Sequence, residues 1–192
     1  VTGFLTMTQD RTVLTPNVWV GVVHGVVGQL IFAIGICLTA LWSTRWNQPA
    51  KICQRNDSKV AMMLCLAMVL QLVLGALYRH MIGDELLEPK ATHVLYTHIV
   101  MAVVVFVLAI VLGIRLMGRN VQLLKKIGMC LHLFVMVQLL LGGGALIAIL
   151  INKGETVPLY EILVTTAHQA NGALLLGASF LAYIWTKRLI GV

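Results

Sequence analysis

Five stretches of the sequence, each at least 19 residues long, contain no Asp, Glu, Lys or Arg. A helix needs about 20 apolar residues to cross the roughly 30 Å of hydrocarbon in a bilayer, and each stretch is about that long. Charged residues make up only 11% of the 192 residues, less than half of the roughly 25% usual in soluble domains. The sequence therefore predicts an all-α, polytopic transmembrane helical bundle. The five predicted membrane spans are Val18–Trp42, Val60–Tyr78, His93–Ile114, Ile127–Ile151 and Ile162–Thr186.

The charged residues lie between these spans, and the two signs separate between alternate connectors. Ten of the 14 basic residues lie in segments 43–59 and 115–126 and in the C-terminal tail. These segments hold one acid, Asp57. The remaining segments hold the other six of the seven acids. By the positive-inside rule the basic side is cytoplasmic, so we expect the N-terminus outside and the C-terminus in the cytoplasm. The formal charge of +7 is thus an orientation signal, and we expect no nucleic-acid partner.

Three histidines, His24, His98 and His168, lie five or six residues inside the outer ends of alternate spans. An imidazole in the membrane interior needs a partner, and three at matched depth indicate a shared role. Two imidazoles that face each other inside a helix bundle are typical of axial ligands to a haem iron. The alternative is that each histidine is hydrogen-bonded separately to a neighbouring helix. A metal site without haem, or a proton relay, would favour carboxylates, and the spans contain none.

A short motif precedes two of these histidines in the same way. Gln71-Leu-Val-Leu-Gly75 in the second span is repeated as Gln138-Leu-Leu-Leu-Gly142 in the fourth, and each is followed by a connector and a histidine-bearing span. Gly75 to His98 is 23 residues and Gly142 to His168 is 26. For the two glutamines we expect hydrogen bonds between helices. Two such hairpins predict that residues 60–192 form a four-helix transmembrane haem-binding bundle.

The first span fits the same repeat only in part. His24 follows Gly3 by 21 residues, and the segment around Gly3 reads like the end of another Gln-x-x-Leu-Gly helix. The sequence thus predicts that residues 1–59 are the end of an N-terminal half-bundle with one span, 18–42. We expect its other helices to come from an upstream segment or from a second subunit.

Other residues near the histidines suit a flat macrocycle. Gly25, Ala102 and Gly172 lie one or four residues from a histidine, where a small side chain leaves room for such a group. Ordinary close packing of membrane helices also explains small residues at these positions. Arg79-His80, at the outer end of the second span, is a candidate clamp for haem propionates, because Arg binds carboxylates through two hydrogen bonds. The alternative role for this pair is an interfacial anchor that extends to the lipid headgroups.

Taken as a set, these motifs resemble the haem A synthase family. The resemblance rests on segments 71–80, 98–102, 138–142 and 167–173, in that order, and on segment 24–32, which is similar to the last helix of the family's N-terminal half. It extends over essentially the whole chain. The family has eight helices in two pseudo-symmetric halves, and this chain matches helices four to eight and the end of helix three.

The resemblance implies a membrane oxidoreductase that oxidises a methyl group of haem O to make haem A. It implies a bacterial plasma membrane or an equivalent energy-transducing membrane. His98 and His168 would be the axial iron ligands of a b-type haem, haem b, in the C-terminal bundle. His24 would be one of two histidines that address the substrate haem. The family's Glu, three residues before its first histidine, has no counterpart before His98, because Leu95 stands at that offset.

Two other functions fit the same residues. A non-enzymatic b-type cytochrome would use the two ligands as a membrane subunit that passes electrons to or from a quinone. A transporter or a structural bundle without a cofactor is the other function, but it would not explain why the histidines lie at the same depth. Whether the chain is an enzyme therefore depends on residues that the sequence motifs do not include.

Overall fold

The fold of residues 17–47, 55–82, 86–152 and 157–189 is described by a computed structural model. Within these ranges the regular structure is entirely helical, which confirms the all-α prediction for them. Each predicted span coincides with one long helix. The helices are α1 (Val18–Leu41), α2 (Arg55–Met81), α3 (Glu88–Met117), α4 (Gln122–Ile151) and α5 (Leu159–Arg188), with a short 3-10 helix at Thr44–Asn47. Gly3 and the rest of segment 1–16 lie outside the described residues.

The helix ends follow from local residue chemistry. The side chain of Asn17 accepts a hydrogen bond from the backbone N–H of Val20 at 3.1 Å and so caps the start of α1. Proline stands in the first turn of α3, where the missing N–H costs no helical hydrogen bond. Lys187 and Arg188 lie in the last turn of α5, where positive charge complements the helix dipole.

Four helices of the described residues, α1 to α4, are long and apolar enough to cross a membrane. Their surfaces agree with this, because large apolar side chains such as Trp19, Val100 and Leu140 are well exposed. An exposed apolar surface of this extent is unfavourable in water and suits lipid. The composition therefore indicates an integral membrane protein. Helix α5 is not among these four, because polar residues such as His168 and Asn171 interrupt its first half, and its membrane crossing stays a prediction.

Helices α2 to α5 form a closed antiparallel bundle. Each packs against the next along the chain, and α5 returns to pack against α2. The antiparallel order is visible in the pairs that meet across α2 and α3, where Asp57 contacts Arg115 while Gln71 contacts His98. Helix α1 lies outside this ring and packs against α2 and α5. The two hairpins deduced from the repeat are therefore the two halves of one bundle.

The bundle is solid at one end and hollow at the other. The largest fully buried side chains lie mainly toward the end that contains Asp57, and they are mostly leucines: Leu64, Leu112, Leu116, Leu124, Leu131, Leu175 and Leu176. Toward the other end residues of all four helices line a cavity. Close packing at one end holds the four helices together and leaves the opposite end free to accommodate a ligand.

A buried ion-pair cluster closes the solid end. Asp57 has no solvent-exposed side-chain area, and its two carboxylate oxygens accept hydrogen bonds from Arg115 Nε at 2.8 Å and Arg119 Nη2 at 2.7 Å. The carboxylate lies in the first turn of α2, and both arginines follow from the end of α3. The single acid among the basic connectors thus links the two ends of the first hairpin.

Replacement of Asp57 by Asn should lower the free energy of unfolding by about 3 kcal/mol, because two arginines then lose the carboxylate that offsets their partial burial. Denaturant unfolding of the protein in detergent measures this. Lys59→Gln is the matched control, since Lys59 is exposed on the same helix, and it should change stability by no more than about 0.5 kcal/mol. Equal small effects of both substitutions would contradict a structural role for the ion pair.

Candidate functional site

The hollow end of the bundle encloses a cavity of about 450 Å³. Residues of α2, α3, α4 and α5 line it, and α1 contributes Gly25 and Gln29. Most of the lining side chains are apolar, and no Asp or Glu is among the described residues that line it. An apolar cavity with a few convergent polar groups is the usual form of a small-molecule or cofactor site.

The two histidines predicted to face each other both line this cavity. His98 projects from α3 and His168 from α5, so one imidazole comes from each hairpin. The expectation that the repeat places two imidazoles in one space within the bundle therefore agrees with the geometry.

Each imidazole is hydrogen-bonded to the glutamine of its own hairpin. Gln71 Nε2 lies 3.2 Å from His98 Nε2, and Gln138 Nε2 lies 3.3 Å from His168 Nε2. These are the contacts between helices that the two glutamines were expected to make. On each histidine the other ring nitrogen, Nδ1, is buried and has no hydrogen-bond partner in the described structure.

The glycine of each motif makes room for the same imidazole. A Cβ added at Gly75 would lie 3.0 Å from His98 Cε1, and one added at Gly142 would lie 3.0 Å from His168 Cε1. Real Cβ atoms rarely come this close to a neighbour. Gln and Gly are four residues apart and therefore occupy one helix face. We call each such pair a histidine cradle: Gln71 and Gly75 for His98, Gln138 and Gly142 for His168.

The small residues singled out in the sequence also lie at the cavity. Gly25, Ala102 and Gly172 are all part of its lining. At Gly172, however, the nearest neighbour of an added Cβ would be Gln138 Nε2, at 3.2 Å. This glycine therefore provides space for the glutamine of the second cradle, in addition to bordering the cavity. No side chain lies within 4 Å of an added Cβ at Gly25.

Arg79 and His80 lie at the open end of the cavity and are part of its lining. His80 also packs against α1, because a Cβ added at Gly21 would lie 2.6 Å from its Cε1 atom. Arg79 is exposed. The pair is thus placed where it can meet polar groups at the edge of a bound molecule. His80 additionally holds α1 against the bundle.

His24 lies apart from this cavity. Its side chain is exposed on α1, and it is not among the residues that line the cavity. The sequence placed it in a separate half-bundle, and its outward position agrees with a role outside the two-histidine site. His132 is also separate, since its Nε2 lies 3.1 Å from the carbonyl oxygen of Ile110, nearer the solid end.

Sequence reasoning did not single out Asn171, which the structure connects to the site. Its Nδ2 donates to Gln138 Oε1 at 2.6 Å and to the carbonyl oxygen of Phe134 at 2.9 Å. Asn171 is buried. A buried amide in an apolar span needs hydrogen-bond partners. The sequence signal for Asn171 was therefore a polar residue inside a predicted span, three residues after His168.

The donor set fits a haem better than a bare metal ion. The described residues contain no group of three or more His, Cys, Asp or Glu able to hold a metal ion. A haem needs only two axial protein ligands, because the porphyrin supplies the other four. The two imidazoles of this cavity, one from each hairpin, match that number of ligands.

Comparisons with protein-family models, with curated protein sequences and with solved structures find no match for this chain.

Replacement of Gly142 by Ala should destabilise the protein by about 1 to 3 kcal/mol, because the new methyl group forces the His168 ring or the helices apart. Gly143→Ala is the matched control on the same helix, since nothing lies within 4 Å of its added Cβ. It should be neutral or slightly stabilising, because Ala favours helix over Gly. Thermal unfolding of both variants measures the difference, and similar unfolding temperatures would contradict the cradle.

Proposed function

We propose that this chain is an integral membrane haem protein in which His98 and His168 bind the iron of a b-type haem. The observation that carries the proposal is that both imidazoles, one from each hairpin, face one apolar cavity and rest in equivalent Gln and Gly cradles. Separate structural histidines would not require the same cradle twice. A bound haem would supply one-electron redox chemistry.

The surrounding residues have distinct tasks in this proposal. Gln71 and Gln138 orient the imidazoles before a ligand enters, which lowers the cost of ordering them. The apolar lining would exclude water from both faces of a bound porphyrin ring. Arg79, which is exposed at the edge of the cavity, would bind the haem carboxylates, because its guanidinium can donate two parallel hydrogen bonds.

We further propose that the protein is a haem A synthase-like oxidoreductase, with haem O as its substrate. The support for this is the ordered set of motifs that resemble that family. The exposed side chain of His24 is consistent with a substrate site completed by another segment or subunit. In this arrangement His98 and His168 would hold a haem that supplies electrons, and haem O would bind elsewhere as the substrate.

A second function, an electron-transfer cytochrome that exchanges electrons with a quinone, is favoured by one observation. Leu95 lines the cavity, and no carboxylate is among the described lining residues. Electron transfer needs no carboxylate beside a haem, so this lining is compatible with it. The two functions share the same haem site and differ in what happens near His24.

Protein purified in detergent and supplied with haem should show a Soret band and a low-spin bis-imidazole spectrum. Replacement of either His98 or His168 by Ala should abolish that bis-imidazole spectrum, because one axial ligand is lost. His24→Ala is the matched control and should leave it intact, since His24 lies outside the cavity. A protein that takes up no haem would overturn both proposed functions.

The enzyme and the cytochrome are separated by assaying haem O conversion with any upstream polypeptide present. Formation of haem A that depends on His24 would support the oxidoreductase. Haem reduction by quinol with no conversion of haem O would support the cytochrome.

We also propose a membrane orientation for the chain. The basic residues concentrate in alternate connectors and in the C-terminal tail, which puts the C-terminus in the cytoplasm. A reporter that works only in the cytoplasm should be active when it is fused after Val192, and a reporter that works only in the periplasm should be inactive there. Activity of a periplasmic reporter at the same position would reverse the orientation.

A further inference from the structure

The seam between α3 and α4 is tight toward the solid end of the bundle. On α4, His132 Nε2 lies 3.1 Å from the carbonyl oxygen of Ile110 on α3. A Cβ added at Gly113 would lie 2.5 Å from the same His132 atom. A Cβ added at Gly128 would lie 2.6 Å from the Gly113 carbonyl oxygen. The two backbones therefore approach as closely as glycine permits.

The same seam is open at the level of the cavity. Gly143 lies eleven residues after His132, about three helical turns, so both residues occupy one face of α4. That face contacts α3 at His132, yet at Gly143 no described atom outside its own helix lies within 4 Å of an added Cβ. On α3 the same step of eleven residues, taken back from Ile110 because the helices are antiparallel, reaches Ile99. Ile99 is exposed and lines the cavity.

The residues around this gap border the cavity and the outer surface at the same time. Val103 lies five residues after His98, so its side chain starts about 140° around α3 from that imidazole. It is 58% exposed and nevertheless lines the cavity. Leu139, one turn before Gly143 on α4, is also exposed and also lines the cavity. We call the apolar opening that Ile99, Val103, Leu139 and Gly143 frame the lateral portal.

The other three seams of the bundle are covered at this level. The first cradle joins α2 to α3, and the second joins α4 to α5. Helix α1 packs against both α2 and α5, and its Gly25 and Gln29 line the cavity there. Among the described helices, the seam between α3 and α4 is thus the one that neither a cradle nor α1 covers. It is also the side on which the cavity meets a lipid-facing surface.

We propose that the ligand of this cavity enters and leaves through the lateral portal, directly from the hydrocarbon phase of the bilayer. The inference rests on the proposed haem site, because it takes haem as the ligand, and goes beyond that site by assigning a route. A porphyrin is flat and mostly apolar, so an entrance between two apolar helix faces spares its ring a passage through water. Gly143 keeps the portal open, because a larger side chain there would project into the gap.

The first test fills the portal. Haem-free protein in phosphatidylcholine liposomes is mixed with haem, which partitions into the bilayer, and the growth of the Soret band gives the uptake rate. Gly143→Phe should slow uptake about tenfold, because the new ring must be moved aside at the cost of a crowded side chain. Its final spectrum and haem content should equal those of the wild type. Leu140→Phe is the matched control, since Leu140 is exposed on the same helix and does not line the cavity.

The second test widens the portal, so it does not depend on the folding of the Gly143 variant. Ile99→Ala should accelerate haem uptake, and should accelerate haem loss to an excess of apomyoglobin by a similar factor. An entrance changes both rates and leaves the affinity nearly constant. Val100→Ala is the matched control, since Val100 is exposed on α3 and does not line the cavity.

Three results would overturn the portal while the haem site stands. Equal uptake rates in Gly143→Phe and Leu140→Phe would place the entrance elsewhere, such as the Arg79 end of the cavity. A Gly143→Phe protein with a changed spectrum or a lower final haem content would show an effect on the site and not on the route. Uptake by Ile99→Ala at the rate of Val100→Ala would show that Ile99 does not border the entrance. A wild-type protein without haem would overturn the proposed function, and this inference with it.

Discussion

An imidazole inside an apolar helix bundle must have a hydrogen-bond partner, and the site at the hollow end depends on this constraint. The chain satisfies it by placing a glutamine one helical turn before a glycine on the facing helix. The glutamine supplies the polar contact, and the glycine removes the Cβ that would otherwise keep the ring at a distance. Both requirements must be met together, because a histidine that approaches without a partner is costly to bury. The same solution occurs in each hairpin.

The division of the bundle into a solid and a hollow end follows from where these polar contacts lie. Toward the Asp57 end, leucines fill the interior, and the buried carboxylate holds the ends of α2 and α3 together through Arg115 and Arg119. At the other end, small residues such as Gly75, Gly142 and Ala102 replace large ones, so the helices enclose a cavity. Packing that is strong at one end permits space at the other without loss of the fold.

Much of this arrangement could be predicted from residue patterns. Uncharged stretches located the helices, and the two histidines that follow the repeated Gln-x-x-Leu-Gly motif both line one cavity. The expected contacts of Gln71 and Gln138 between helices are confirmed. Asn171 and the packing of His80 on Gly21 could not be predicted, because each depends on how two helices are rotated against one another. Periodicity indicates a helix face but does not define that rotation.

The sequence by itself determined the approximate limits of the five long helices in the described residues, since spans without charge and connectors with charge are properties of composition along the chain. It also determined the pairing of motifs within each hairpin, because short connectors bring consecutive helices together. Only the tertiary structure decided that Asn171 joins the second cradle, and that His24 is exposed outside the cavity. The first feature arises from contacts of Asn171 with Gln138 and Phe134 on the neighbouring helix. Such contacts depend on side-chain direction across a helix interface, which no pattern along a single helix contains.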